Sequence, residues 1–253
     1  MRLIDSHCHL TDEAFDDDRL FILNDLSNFG LKAIINPATN IADSKMAIEL
    51  AEKYDNFYAM AGIHPEEVDD ITDKDLEELE SLATNEKVIA IGEIGLDYYW
   101  KDDNKKKQKE IFIHQLELAR KLEKPAVIHV RDSKDDVIEI LKDYQDLNIQ
   151  IHCFSDDLET LEKYMEMGFF ISIGGVVTFD NGTNEQNAAR NVPIERLMLE
   201  TDSPYLTPDP YRGLRNDPRR VVEVARKVAD LRDMKMDKLA KRTYNNTKEF
   251  FNL

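Results

Sequence analysis

Leu3-Ile4-Asp5-Ser6-His7-Cys8-His9-Leu10 is the stretch on which the reading of this chain turns. A short apolar run leads into two histidines spaced two residues apart. Side chains at i and i+2 of a β-strand leave from one face, so a strand here projects both imidazoles to the same side. Two neutral imidazoles converging on a point make half of a divalent-metal site. Cys8 alternates with the pair and is expected to face away, as a buried spectator. The other half of such a site has to come from further strands whose ends meet this one.

Seven more strand-like runs follow. With the first, they span residues 3–6, 33–36, 58–62, 88–92, 126–130, 150–153, 170–173 and 197–201. Most are continuous Val/Ile/Ala/Met/Leu runs, the pattern of strands covered on both faces. Helix signals lie between them. Ser133 and Thr72 each precede an acid by three residues (Asp136 and Asp75), in the manner of a capping box. Asp156 and Asp157 follow Ser155 at a helix's positive end, and Gly30 stops a helix expected over 16–29. Strand–helix alternation eight times over implies parallel strands with right-handed crossovers. Eight such units close into a (β/α)8 TIM barrel, here a single domain over residues 1–253. An open doubly wound sheet is the alternative. Four of the eight prolines fall between Ser203 and Pro218, so residues 203–217 read as a long loop after the eighth strand.

Composition narrows the function classes. The chain is 42% hydrophobic, with two cysteines and a net charge of −18. No apolar run approaches the roughly 20 residues that span a bilayer. Without a secretory leader or a disulfide framework, the expected compartment is the cytoplasm. The acidity argues against general affinity for nucleic acid or anionic lipid. It leaves room for a phosphate substrate, because bound cations invert the local charge.

Barrel active sites gather at the carboxyl ends of the strands. Five of the six histidines fall there: His7, His9, His64, His129 and His152. His114, inside a helix pattern, reads as structural. Glu93 and Asp202 interrupt otherwise apolar strands, and a buried carboxylate costs several kcal/mol unless paired or metal-bound. His7, His9, Glu93, His129, His152 and Asp202 are too many ligands for one four-coordinate ion. They suit two divalent ions about 3.5–4 Å apart, with Glu93 as the bridge. Cys153 alternates with His152 and is expected to be a second buried spectator. Four imidazoles favour a transition metal such as Zn2+ or Mn2+.

At these residues the chain resembles the TatD-type metal-dependent deoxyribonucleases of the amidohydrolase-like barrels. The matching stretches run nearly end to end: Ile4-Asp5-Ser6-His7-Cys8-His9-Leu10, Gly62-Ile63-His64-Pro65, Ile91-Gly92-Glu93-Ile94-Gly95-Leu96-Asp97-Tyr98, Pro125-Ala126-Val127-Ile128-His129-Val130-Arg131, Ile151-His152-Cys153-Phe154-Ser155 and Leu199-Glu200-Thr201-Asp202-Ser203-Pro204-Tyr205-Leu206. A seventh, Tyr211-Arg212-Gly213-Leu214-Arg215-Asn216-Asp217-Pro218, looks like the family's Arg-Gly-x-Arg-Asn-Glu-Pro signature with Asp217 in the Glu place. The resemblance implies that the six ligand candidates hold metal, often Mg2+, and that His64 lies near the reacting phosphate. It implies a cytoplasmic enzyme of DNA repair or degradation, a 3′→5′ exonuclease on single-stranded or damaged DNA. No membrane and no obligate protein partner are implied.

The expected chemistry is attack of a metal-activated water on a phosphodiester. Catalytic roles fall to Asp202 as proton acceptor, to His64 on the phosphate or leaving oxygen, and to Glu93 as bridge. Glu200 shares Asp202's face and is expected to orient a ligand from behind. Arg131 shares the inward face of His129 and can clamp a phosphate. Arg212 and Arg215 in the proline-rich loop are candidates for the next phosphate. Tyr98, with Tyr99 and Trp100, is a candidate for stacking on unpaired bases, at about 1–3 kcal/mol each. The principal rival is an amide or ester metallohydrolase on the same barrel, such as a deacylase of mischarged tRNA. The absence of Lys from the Glu93 strand, where those hydrolases carry a carbamylated bridge, favours the nuclease. A metal-dependent scaffold without catalysis is the remaining alternative.

Overall fold

The computed structural model describes residues 1–253. The eight runs are eight strands: β1 Leu3–Asp5, β2 Leu31–Asn36, β3 Phe57–Ala61, β4 Val88–Asp97, β5 Ala126–Arg131, β6 Ile149–Ile151, β7 Phe170–Ile173 and β8 Leu197–Leu199. They form one parallel sheet in sequence order, β1 through β8. Loop hydrogen bonds close the remaining seam between β8 and β1. Ser6 N–H donates to Leu199 O, Asp202 N–H to His7 O and His9 N–H to Ser203 O, at 2.9–3.0 Å, and Cys8 bridges Ser203 in parallel. The result is a nearly closed TIM barrel.

Helices fill the crossovers: α1 Arg19–Asp25, α2 Ile41–Lys53, α3 Asp73–Ala83, α4 Lys105–Lys121, α5 Lys134–Leu141, α6 Leu158–Glu166 and α7 Thr183–Asn191. Two more, α8 Val221–Leu231 and α9 Met236–Phe251, follow β8. Apolar side chains fall into two bodies, as the pleat requires. The larger lies between strands and helices. The smaller fills the barrel's axis: Ile4, Ala33, Ile35, Met60, Ala90, Val127, Phe170 and Met198 point inward and meet Phe250 and Phe251 of α9. That plug closes the floor and leaves only the opposite end open. None of the helices is long and apolar enough to cross a membrane.

Several local expectations change. The helix expected over 16–29 is α1 plus a 3-10 turn, Leu26–Phe29. Gly30 does end it, at φ 79°, donating its N–H to Leu26 O and Ser27 O. Ser133 does not cap α5; its hydroxyl donates to Leu96 O instead, tying β4 to the β5 loop. At α3 the Asp75 carboxylate accepts from the N–H and O–H of Thr72, and Asp157 caps α6 through Thr160 N–H. The largest change is in β4, which runs on to Asp97 rather than stopping at residue 92. Between Ile91 and Ile94 its register against β5 slips, so Glu93 sits in a bulge. A bulge re-aims one side chain without ending the strand.

Candidate metal centre

The open end of the barrel is lined by strand termini, and six of the eight, all but those of β2 and β7, contribute an imidazole or a carboxylate. His7 and His9 lie just beyond β1, held by the seam to β8 and by the hydrogen bond from Cys8 N–H to Ile35 O. Asp202 follows β8 at φ 55°. Glu93 is fixed in the β4 bulge by its N–H to Ala38 O at 3.0 Å, and His152 by its N–H to Ile128 O. His129 stands within β5, and His64 follows β3, its N–H donating to Thr39 O.

Glu93 is the hub, and its two oxygens face different groups. Oε2 lies 3.2 Å from His7 Nε2 and 3.6 Å from His9 Nε2. Oε1 lies 2.7 Å from both His129 Nδ1 and His152 Nε2, and 3.7 Å from His64 Nε2. Asp202 Oδ1 completes the first side, 3.7 Å from His7 Nε2 and 3.4 Å from His9 Nε2. Three sets each bring their donor atoms within 4.8 Å of one another: His7–Glu93–His152, His7–His9–Asp202 and His64–Glu93–His129.

Outer carboxylates decide which nitrogens are free. Asp97 Oδ2 lies 3.0 Å from His129 Nε2, and Glu200 Oε1 lies 3.3 Å from His152 Nδ1. A neutral imidazole that donates to these acids turns its lone pair inward, as outer partners of metal-bound histidines do. His129 Nδ1 and His152 Nε2 then face each other at 3.4 Å, both against Glu93 Oε1. With both rings neutral in these tautomers three lone pairs converge, a set that suits a divalent cation in place of the proton that otherwise links His129 to Glu93. His7 Nδ1 is buried without a hydrogen-bond partner, and the ring stacks on that of His152 with centroids 3.9 Å apart. His64 differs. Its Nδ1 accepts from Glu66 N–H, so the neutral ring carries its hydrogen on Nε2 and donates into the site.

The charge balance points the same way. Burial alone would raise the Glu93 carboxyl; the neighbouring His152, His7 and His64, with the hydrogen bond from His129, hold it well below the usual carboxylate range. Burial also opposes Asp202, yet His9 and the other imidazoles keep it low. His9, His129 and His152 are desolvated, but the acids around them raise all three above the ordinary imidazole value. His64 is pushed down to about 3, chiefly by desolvation and then by His129, and stays neutral at pH 7. The pocket concentrates negative charge at its base and holds positive charge there.

That base opens into a cavity of about 860 Å3 lined by His9, His64, Glu93, His129, His152 and Asp202, with Arg131 and Trp100 on one side. A profile of the family described as TatD related DNase matches residues 4–252. The chain belongs to the TatD-related DNase family. Relatives match the TatD-family chain over nearly its whole length. The uncharacterized metal-dependent hydrolase YabD of Bacillus subtilis is 38% identical, covering 99% of each chain. The corresponding YcfH of Escherichia coli K12 is also 38% identical, covering all of this chain and 97% of its own. Among solved structures, that of YjjV, a TatD homolog from Escherichia coli K12, superposes with a TM-score of 0.94 at 31% identity, covering 100% of this chain and 98% of that one.

Within this TatD-family barrel the six ligand candidates, His64 and Glu200 all meet at the centre or directly behind it. Glu200 stands behind His152 and accepts from Ser172 O–H at 2.5 Å. Arg131 reaches the cavity, its guanidinium 4.0 Å from the Tyr99 ring centre and 5.3 Å from that of Trp100. Trp100, one of the stacking candidates, also lines the cavity with Tyr99 packed beside it, whereas Tyr98, Arg212 and Arg215 do not reach it. Tyr98 turns away and donates its O–H to Asp136, because Lys105 and Asp136 hold the ring over α4 and α5. Arg215 is a bidentate partner of Asp18 and a donor to Ala14 O, which fastens the proline-rich loop to the β1–α1 loop. Arg212 stacks on Phe179 at 3.6 Å. Cys8 is buried, as alternation requires. Cys153 is not. β6 ends at Ile151, so the alternation stops before it, and the residue is half-buried at φ 44°. The sequence reading missed Asp97 and Asp5. Asp97 sits four residues beyond Glu93 in the same strand, a spacing that shares a face. Asp5 accepts from His7 N–H and from Thr201 N–H and O–H, bracing both sides of the seam. Burial pushes its carboxyl well up.

Proposed function

We propose that this chain is a metal-dependent hydrolase of phosphodiester bonds in DNA, acting on single-stranded or damaged strands from one end, in the 3′→5′ sense that the family likeness suggests. One observation carries it: a carboxylate whose two oxygens face separate imidazole groups at the base of an open cavity, the arrangement that two divalent cations (Mg2+, Mn2+ or Zn2+) require of a bridge. His7, His9 and Asp202 would hold one cation and His129 and His152 the other, with Glu93 between them. Such cations supply Lewis-acid stabilisation of the charge developing on phosphate oxygens and make water more acidic.

The chain's own groups do the rest. Asp202, ionised at neutral pH, is the proton acceptor, through Oδ2, the oxygen its contacts with His7 and His9 leave free. His64 donates from Nε2 to a phosphate or leaving oxygen. Arg131 holds a second phosphate oxygen, its guanidinium steadied over the Tyr99 ring. Asp97 and Glu200 keep two rings in the tautomer that presents a lone pair.

Two experiments test this. Purified protein is expected to hydrolyse bis(p-nitrophenyl) phosphate, to lose that activity with chelator and to regain it with added divalent metal. Faster turnover of p-nitrophenyl acetate than of the diester would overturn the phosphodiester reading in favour of an acyl hydrolase. Asp97→Asn and Glu200→Gln are each expected to weaken metal affinity by about 10- to 100-fold, read by competition with a chromophoric chelator. Unchanged affinity in both would mean that these acids do not set the tautomers.

A further inference from the structure

The cavity is one-sided in charge. Its wall over β1, β2 and β3, neighbours in the sheet, carries Asp12, Asp43, Glu66 and Glu67 beside Thr39 and Asn40. Asp12 is engaged by Ala14 N–H and Tyr205 O–H, and Asp43 by the N–H and O–H of Thr39. These partners are neutral, so the negative charge stands. The lining's one lysine or arginine is Arg131, the last residue of β5, beside Trp100. A nucleic acid strand carries a phosphate at every nucleotide. With one phosphate at the metal centre, the strand can leave over Arg131. It cannot continue across four carboxylates without like-charge repulsion in a site partly screened from water.

What the acidic wall does accept is a donor. Carboxylates, the threonine hydroxyl and the asparagine amide all bond to sugar hydroxyls and base N–H groups. We infer that the cavity is built for a hydroxyl-ended strand, the β1–β3 wall receiving the uncharged terminal nucleoside while Asp12, Asp43, Glu66 and Glu67 reject a terminal phosphate. This rests on the phosphodiester reading above and adds to it the chemical class of strand end. The same wall explains how so acidic a protein handles a polyanion: it grips one phosphate and one nucleoside rather than a length of backbone.

The test uses the purified, metal-loaded chain and one short single-stranded oligonucleotide, made with a hydroxyl or a phosphate at the 3′ end and, separately, at the 5′ end. At the end where digestion starts, a phosphate is expected to lower kcat/KM by roughly 10- to 100-fold. A phosphate at the other end is expected to change it little. The discrimination ratio is expected to fall toward one in the Glu66→Gln/Glu67→Gln variant, which alters two exposed residues, and in Asp43→Asn, whose amide oxygen still accepts from Thr39. Added salt is expected to narrow it as well. If DNA is cut equally well whatever its ends carry, or if the ratio survives both variants, the inference falls while the phosphodiester reading stands. If the chromogenic diester is cut but no strand is, the inference falls together with DNA as the substrate, while the phosphodiester chemistry stands. If neither is cut under any metal, both fall.

Discussion

Glu93→Gln is expected to lower phosphodiester hydrolysis by about 10³-fold and to cut the bound metal by at least one equivalent, with the barrel intact. Glutamine keeps the shape of the side chain, so the β4 bulge and the hydrogen bond from Glu93 N–H to Ala38 O remain. It removes the negative charge that His7, His9, His129 and His152 all face. A bridging position that supplies several kcal/mol of charge stabilisation in the transition state corresponds to a loss of that order. Elemental analysis of the purified variant, taken with its rate on the chromogenic diester, checks both halves. Wild-type metal content with wild-type rate would remove Glu93 from the centre of the argument.

Gly95→Ala is expected to be as damaging through geometry alone. Gly95 stands opposite His129 in the β4–β5 ladder at φ 149°, and an added Cβ would fall 2.0 Å from the His129 carbonyl oxygen. Backbone meets backbone there, so no rotamer change relieves the overlap. The cost is on the order of 4 kcal/mol, which lowers the melting midpoint by roughly 10 °C in a chain of this size. The same displacement moves His129 away from Glu93 and Asp97. Circular dichroism melts with and without metal read the effect; a midpoint within about 2 °C of wild type would refute it.

The parts of the molecule legible in the sequence are those that depend on short stretches. Buried parallel strands are apolar along their whole length, so eight runs announced eight strands, and the histidines stood beside the runs that position them. Residues 7, 9, 64, 129 and 152 could be assigned to one end of the barrel because strand direction alone settles which end a terminus occupies. Several of the failures involve partners far apart in the chain. Nothing near Arg215 says that its guanidinium is committed to Asp18, 197 residues away. Nothing near Tyr98 names Asp136. β4 looked five residues long because a glycine and a charged residue, Gly92 and Glu93, ordinarily end a strand. Here they form a bulge that carries it on to Asp97, and the partner of His129 was overlooked for the same reason. Ser133 had the local pattern of a helix cap, but its hydroxyl donates to Leu96 O in the neighbouring strand β4.

The seam between β8 and β1 gives the molecule an order of assembly. His7 and His9 leave the ribosome early and Asp202 late, and the three stand together only when Asp202 N–H reaches His7 O and Ser203 O receives His9 N–H. A nascent polypeptide therefore carries its first two imidazoles for some 190 residues without the acid that completes their set. On the ligand set proposed above, a cation would be captured only by the finished ring, where it would act as a clasp on the β8–β1 joint.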